Sequence, residues 1–201
     1  YDFLARIDFI RAKALLSIDL NATLPHVERE CQIDWYHAIH PLLLIALRRQ
    51  HKEPVPLNIS LDSRNRILLI SGPNAGGKSV CLKTVGLLQY MMQCGLPVPM
   101  YDNSHMGIFE SIFIDIGDEQ SIEDDLSTYS SHLTNMRELL LKANNRSLVL
   151  IDEFGSGTEP AAGGAIAETI LSHIESRGAY GVITTHYTNL KLYAGNSKGT
   201  I

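Results

Sequence analysis

The chain has 201 residues, enough for one α/β domain with a sizeable core and at most a small appendage. Apolar residues make up 45% and charged residues 19%, the balance of a globular protein, and 17 Lys and Arg against 22 Asp and Glu leave a net charge of −5. That charge excludes a chain built as a whole to hold a polyanion, so any contact with DNA or RNA is expected to be local or outside these residues.

In chain order, Tyr1 to Leu20 places Phe3, Ile7, Ile10 and Ala14 on one helical stripe, without a capping residue ahead of it, and is expected to be a helix cut mid-length. Asn21 to Pro25 is a turn signal, and Gln32 to Ile39 is predicted to be a strand around the lone Trp35. Leu42 to Pro56 is ambiguous. Its Arg48, Arg49, His51 and Lys52 are most simply a solvated basic face. Leu57 to Leu61 and Arg66 to Ser71 are predicted strands joined by a hairpin-like turn at Asp62 to Asn65. A helix is expected to start at Gly77 and to end before Leu96 to Pro99. Ser111 to Ile116 is a second predicted buried strand, followed by an acidic loop and a helix from about Ser130 to Ala143. Ser147 to Ile151, Ala161 to Arg177 and Ala179 to Thr184 continue as strand, helix and strand. This alternation predicts an α/β fold with a mostly parallel sheet and helices on both faces. An α/β domain would usually add another strand beyond Ile201, so the chain is expected to be a fragment of a longer protein.

Gly72-Pro73-Asn74-Ala75-Gly76-Gly77-Lys78-Ser79 is a complete G-x-x-x-x-G-K-[ST] phosphate-binding loop, set between a predicted strand and a helix that opens with Val80. Glycines there let backbone N–H groups turn toward phosphates, the helix adds its positive end, and Lys78 supplies a point charge. A nucleoside triphosphate is the expected ligand, with Ser79 placed to ligate magnesium. The strand Leu148 to Ile151 ends in Asp152-Glu153, two carboxylates at the edge where open α/β sheets bind ligands. Asp152 is the expected second-sphere partner of the magnesium ion, and Glu153 the candidate general base for the attacking water. As a rival reading, the pair caps the next helix. Thr184-Thr185-His186 puts His186 at the same edge, where it can hydrogen-bond the γ-phosphate or the water, or simply be a solvated loop residue. Gly155 to Pro160 suits a tight loop pressed on another surface, or a flexible connector. Gln120, Ser127 and Thr128 are weak signals taken alone.

Cys31, Cys81 and Cys94 have neither paired nor metal-ligand spacing, which points to reduced thiols in a cytoplasm. Leu42 to Leu47 is too short an apolar run to cross a bilayer.

Together, Gly72 to Ser79, Asp115 to Ile122, Leu126 to His132, Leu148 to Glu153, Gly157 to Pro160 and Thr184 to Tyr187 resemble, in the same order, the ATPase domain of the MutS superfamily. The stretch Asp115 to His132 is most similar to the second bacterial subfamily, the recombination-suppressing endonuclease MutS proteins. Asp8 to Ala14 resembles the end of the family's lever helices, and Ala38 to Leu42 its arginine-histidine-proline strand. The resemblance implies an ABC-type P-loop ATPase over residues 21–201, with residues 1–20 as the end of a truncated lever helix. It implies ATP and Mg2+ as ligands and a homodimer whose two sites are each completed by the partner. Ser127 and Thr128 would reach the γ-phosphate in trans, Gly157 and Thr158 would form the cross-dimer loop, Gln120 would sit near magnesium, and Asn74 would line the loop. Ala162 stands where many relatives have Glu, Ile39 precedes His40 in place of Arg, and no aromatic occupies Pro54-Val55. The parent is expected to act on branched DNA, recombination intermediates or collided ribosomes through segments outside the chain, with no membrane contact. An alternative is a nucleotide-gated clamp of a mismatch-recognition protein, in which binding rather than hydrolysis is the working step.

Overall fold

The computed structural model of the chain describes residues 2–73, 76–116, 125–155 and 160–201, and for residues 125–131, 133 and 160 the backbone alone. Its elements are α1 (Asp2–Leu20), β1 (His26–Glu28), β2 (Ile33–Ala38), α2 (Pro41–Arg48), β3 (Leu57–Leu61), β4 (Ile67–Ser71), α3 (Lys78–Gln93), β5 (His105–Gly107), β6 (Ser111–Asp115), α4 (Asp125–Lys142), β7 (Ser147–Ile151), α5 (Pro160–Ser176), β8 (Tyr180–Thr185) and α6 (Thr188–Asn196). They divide into two compact units, one of residues 1–60 and 83–108, the other of residues 61–82 and 109–201.

The first unit holds a mixed sheet in the order β1-β5-β2-β3, with β5 parallel to β1 and antiparallel to β2. Ile33, Trp35 and Met106 are fully buried in it. Pro41 opens α2, where its missing N–H costs nothing. His40 caps that helix through Nδ1, which accepts the Leu43 N–H at 3.4 Å. The stripe predicted for the opening helix is not a packed one: Phe3, Ile7 and Ile10 are exposed, and Leu20 is the residue of α1 that is buried. The two three-residue strands β1 and β5 were not expected, being too short to carry an alternation.

The second unit is built on a parallel sheet in the order β4-β8-β7-β6. Every residue of β7 and β8 is buried, as continuous apolar runs at the centre of a parallel sheet require. Ile67, Val149, Ile151 and Ile183 of the sheet form one apolar cluster with Leu139 of α4, Leu171 and Ile174 of α5, and Leu190 of α6. Each such fully buried side chain stabilises the unit by roughly 1.5–3 kcal/mol. Residues 199–201 run beside β4, with Leu69 N–H donating to the Ile201 carbonyl at 2.8 Å and Ile201 N–H to that of Ile67 at 2.9 Å.

Three expectations need adjusting. The turn after β3 is present, with Asp62 Oδ1 accepting the Arg64 and Asn65 N–H groups at 2.7 Å each, but β3 and β4 belong to different sheets and form no hairpin. β6 is an edge strand with Ile114 exposed, so its apolar run is only half buried. Helix α4 starts at Asp125, about one and a half turns before the start near Ser130 that the apolar spacing predicts. Among the described residues no helix is long and apolar enough to cross a membrane.

Candidate functional site

A parallel sheet brings the C-terminal ends of all its strands to one edge. Ser71, Asp115, Ile151 and Thr185 end β4, β6, β7 and β8, and the segments that follow bring Lys78, Glu153 and His186 together. Lys78, the first residue of α3, is only 5% exposed. Its Nζ donates to the Gly72 carbonyl and lies 3.3 Å from His186 Nε2. His186 Nε2 is 4.0 Å from Glu153 Oε1, beyond hydrogen-bond reach yet close enough for charge to be felt. Around Lys78 the loop is glycine-shaped: Gly77 has φ +81°, and the space where a Cβ would stand on Gly72, Gly76 and Gly77 is open. Pro73 is exposed, Ser79 half-buried and Val80 exposed at the start of α3, while Asn74 and Ala75 lie outside the described residues.

The carboxylate pair is held by one hydroxyl. Thr184, fully buried near the end of β8, donates from Oγ1 to Asp152 Oδ1 and accepts the Glu153 N–H at 2.8 Å. Glu153 has φ +50°, a left-handed conformation that costs a non-glycine residue about 1–2 kcal/mol. The loop is laced further to the segment after β8: Phe154 N–H donates to the Thr184 carbonyl at 2.8 Å, Thr185 Oγ1 to the Phe154 carbonyl at 3.2 Å, and Tyr187 Oη to the Gly155 carbonyl at 2.8 Å. Gly155 has φ +92°, and a Cβ there would stand 2.8 Å from Tyr187 Cε2. Glu153 and His186 are thus carried on two loops joined by hydrogen bonds.

Residues 68–199 match the family described as MutS domain V. The chain belongs to this family. It is 46% identical over 198 residues to Endonuclease MutS2 of Enterococcus faecalis, an alignment covering 98% of this chain and 24% of that protein. It is 47% identical over 199 residues to Endonuclease MutS2 of Agathobacter rectalis, covering 99% of this chain and 24% of the relative. For Endonuclease MutS2 of Exiguobacterium sibiricum the values are 46% over 200 residues, 100% and 25%. The chain therefore spans about a quarter of the length of these curated relatives.

Within this MutS domain V, the remaining residues singled out in the sequence stand as follows. Ser127 and Thr128 are in the first turn of α4, with side chains outside the described residues, and Ala162 is exposed near the start of α5. Gln120, Gly157 and Thr158 lie outside the described residues. Among the described residues no group of three or more His, Cys, Asp and Glu could hold a metal ion by itself. Cys81, in the first turn of α3, has its thiol pushed up to about 11 by burial.

Sequence reasoning missed Thr184 and the set Asp115, His132 and Asn135. Asp115 Oδ2 lies 2.7 Å from His132 Nδ1, and Asn135 Nδ2 donates to its Oδ1 at 2.9 Å. The signal for Thr184 was strand register: Ile183 stands opposite Ile151, so the next residue falls beside Asp152.

Proposed function

We propose that the chain binds and hydrolyses ATP with Mg2+ as the motor of a MutS2-type protein. One observation carries the reading: the buried Lys78 meets His186, which in turn faces Glu153, at the C-terminal edge of a parallel sheet, beside a glycine loop with open space among the described residues. That open loop at a helix N-terminus fits a triphosphate, since backbone N–H groups and the helix dipole favour phosphate there. Ser79 and Asp152 fit magnesium, which takes one or two protein oxygens and completes its shell with phosphate and water. When bound, the metal neutralises charge on the phosphates.

In this reading Lys78 releases the Gly72 carbonyl and places its ammonium on the phosphates. Glu153, held toward the site by its backbone bond to Thr184, accepts a proton from the attacking water. His186 donates to the transferred phosphoryl group or orients that water. Ser127 and Thr128 of a second copy complete each site, Gly157 and Thr158 form the loop across the dimer, and Asn74 and Gln120 line the nucleotide and metal. Residues 1–20 are the end of a lever helix and residues 21–201 an ABC-type ATPase domain. The whole protein, cytoplasmic and homodimeric, acts on branched DNA or ribosomes and carries its endonuclease elsewhere.

The test is Lys78→Ala. Removing the buried ammonium should abolish binding of ATP in calorimetry, and unchanged affinity would refute the site.

A further inference from the structure

Asp115 closes β6, is 7% exposed, and is bonded in two directions. Its carbonyl accepts the N–H of Asp152 at 2.9 Å, so its main chain is bonded directly to the residue that follows β7. Its carboxylate takes two bonds from α4, at 2.7 Å from His132 Nδ1 and 2.9 Å from Asn135 Nδ2. His132 and Asn135 are three residues apart and share a helix face, and a carboxylate partner requires the Nδ1–H form of the imidazole.

Met136, Leu139 and Ala143 anchor α4 in the apolar cluster. Beside Asp115 a hollow of about 160 Å³ opens between β6 and α4, lined by Ile114, Asp115, Asn135, Met136, Glu138 and Leu139 among others. The two polar bonds add to this packing a directional tie between α4 and the end of β6. Ser127 lies five residues before His132, about 7.5 Å along the axis, and the tie is made about two to three turns from the start of the helix at Asp125.

We propose that Asp115, His132 and Asn135 form a positioning clasp, which links the Asp152 edge of one copy to the Ser127–Thr128 end of α4 that this copy offers to a second. The proposal rests on the reading that Ser127 and Thr128 complete the partner's site. Without the clasp, the helix end is free to shift by an ångström or so, which suffices to slow chemistry about 10- to 100-fold while leaving binding at Lys78 intact.

The experiment uses the dimeric protein and four variants: His132→Phe, Asn135→Ala, His132→Asn and Ser127→Ala. Each is tested alone and mixed one to one with Glu153→Gln. His132→Phe and Asn135→Ala should keep ATP affinity in calorimetry and lose about 10- to 100-fold in kcat. Mixing either with Glu153→Gln should return about a quarter of wild-type turnover, because half the dimers are mixed and each has one intact composite site. His132→Asn, whose amide N–H stands near the Nδ1 position, should recover most of the rate alone. Asn135 is exposed, so its alanine variant keeps the test open should His132→Phe unfold. If Ser127→Ala is rescued by Glu153→Gln but His132→Phe and Asn135→Ala are not, the clasp acts within one copy and the proposal is wrong. Wild-type kcat in both clasp variants overturns it equally. If Ser127→Ala is not rescued either, the shared-site reading fails and the clasp with it.

Discussion

Thr184 Oγ1 accepts the Glu153 N–H at 2.8 Å and passes its own proton toward Asp152, so one buried hydroxyl sets both the backbone of the proposed base and the proposed metal carboxylate. Thr184→Val keeps the shape and removes both bonds. It should lower kcat about 10- to 100-fold with little change in nucleotide affinity, and destabilise the chain by about 1–3 kcal/mol through the partners left unpaired. Thr184→Ser should restore both. Steady-state kinetics with urea unfolding of the same samples checks the pair of effects, and a Ser variant as slow as the Val variant would rule out the hydroxyl.

Gly155→Ala adds a Cβ 2.8 Å from the Tyr187 ring, at φ +92°. Strain of both kinds should cost about 1–3 kcal/mol in unfolding experiments. Turnover should fall as well, because the Tyr187–Gly155 bond ties the Glu153 loop to the His186 loop.

His40 should make the stability of the first unit depend on pH. Burial, with Lys83 nearby, holds its pKa below the ordinary 6.5, and its neutral Nδ1 caps α2. A folded-state pKa below the unfolded one means that the unfolded chain binds the extra proton first. The stabilisation is therefore full above pH 6.5 and is lost as pH falls from there through the folded value. His40→Asn keeps a capping acceptor and removes the titration. Its urea midpoint should vary less with pH across that window than that of the wild type.

The phosphate loop, Asp152-Glu153 and His186 were legible in the sequence because each sits directly after an apolar run that can only be a buried strand. Their meeting followed from the strands being parallel. Thr184 was not legible, since its role depends on the register of β8 against β7, which composition does not reveal. Asp115, His132 and Asn135 escaped for a related reason: 17 residues separate Asp115 from His132, and only the fold of β6 against α4 closes that gap. The exposed stripe of α1 shows the converse, an apolar periodicity that is real in sequence and unburied in this chain.

If Glu153 is the base of an ATP-hydrolysing site rather than a helix cap, replacing its carboxylate must slow the chemistry and spare nucleotide binding. Glu153→Gln keeps the side chain's size and removes its basicity, so the decisive measurement is single-turnover ATP hydrolysis alongside calorimetric ATP binding for that variant. Binding should be retained and the rate should fall by about 10²- to 10⁴-fold. Hydrolysis at the wild-type rate with normal binding would contradict that role for Glu153.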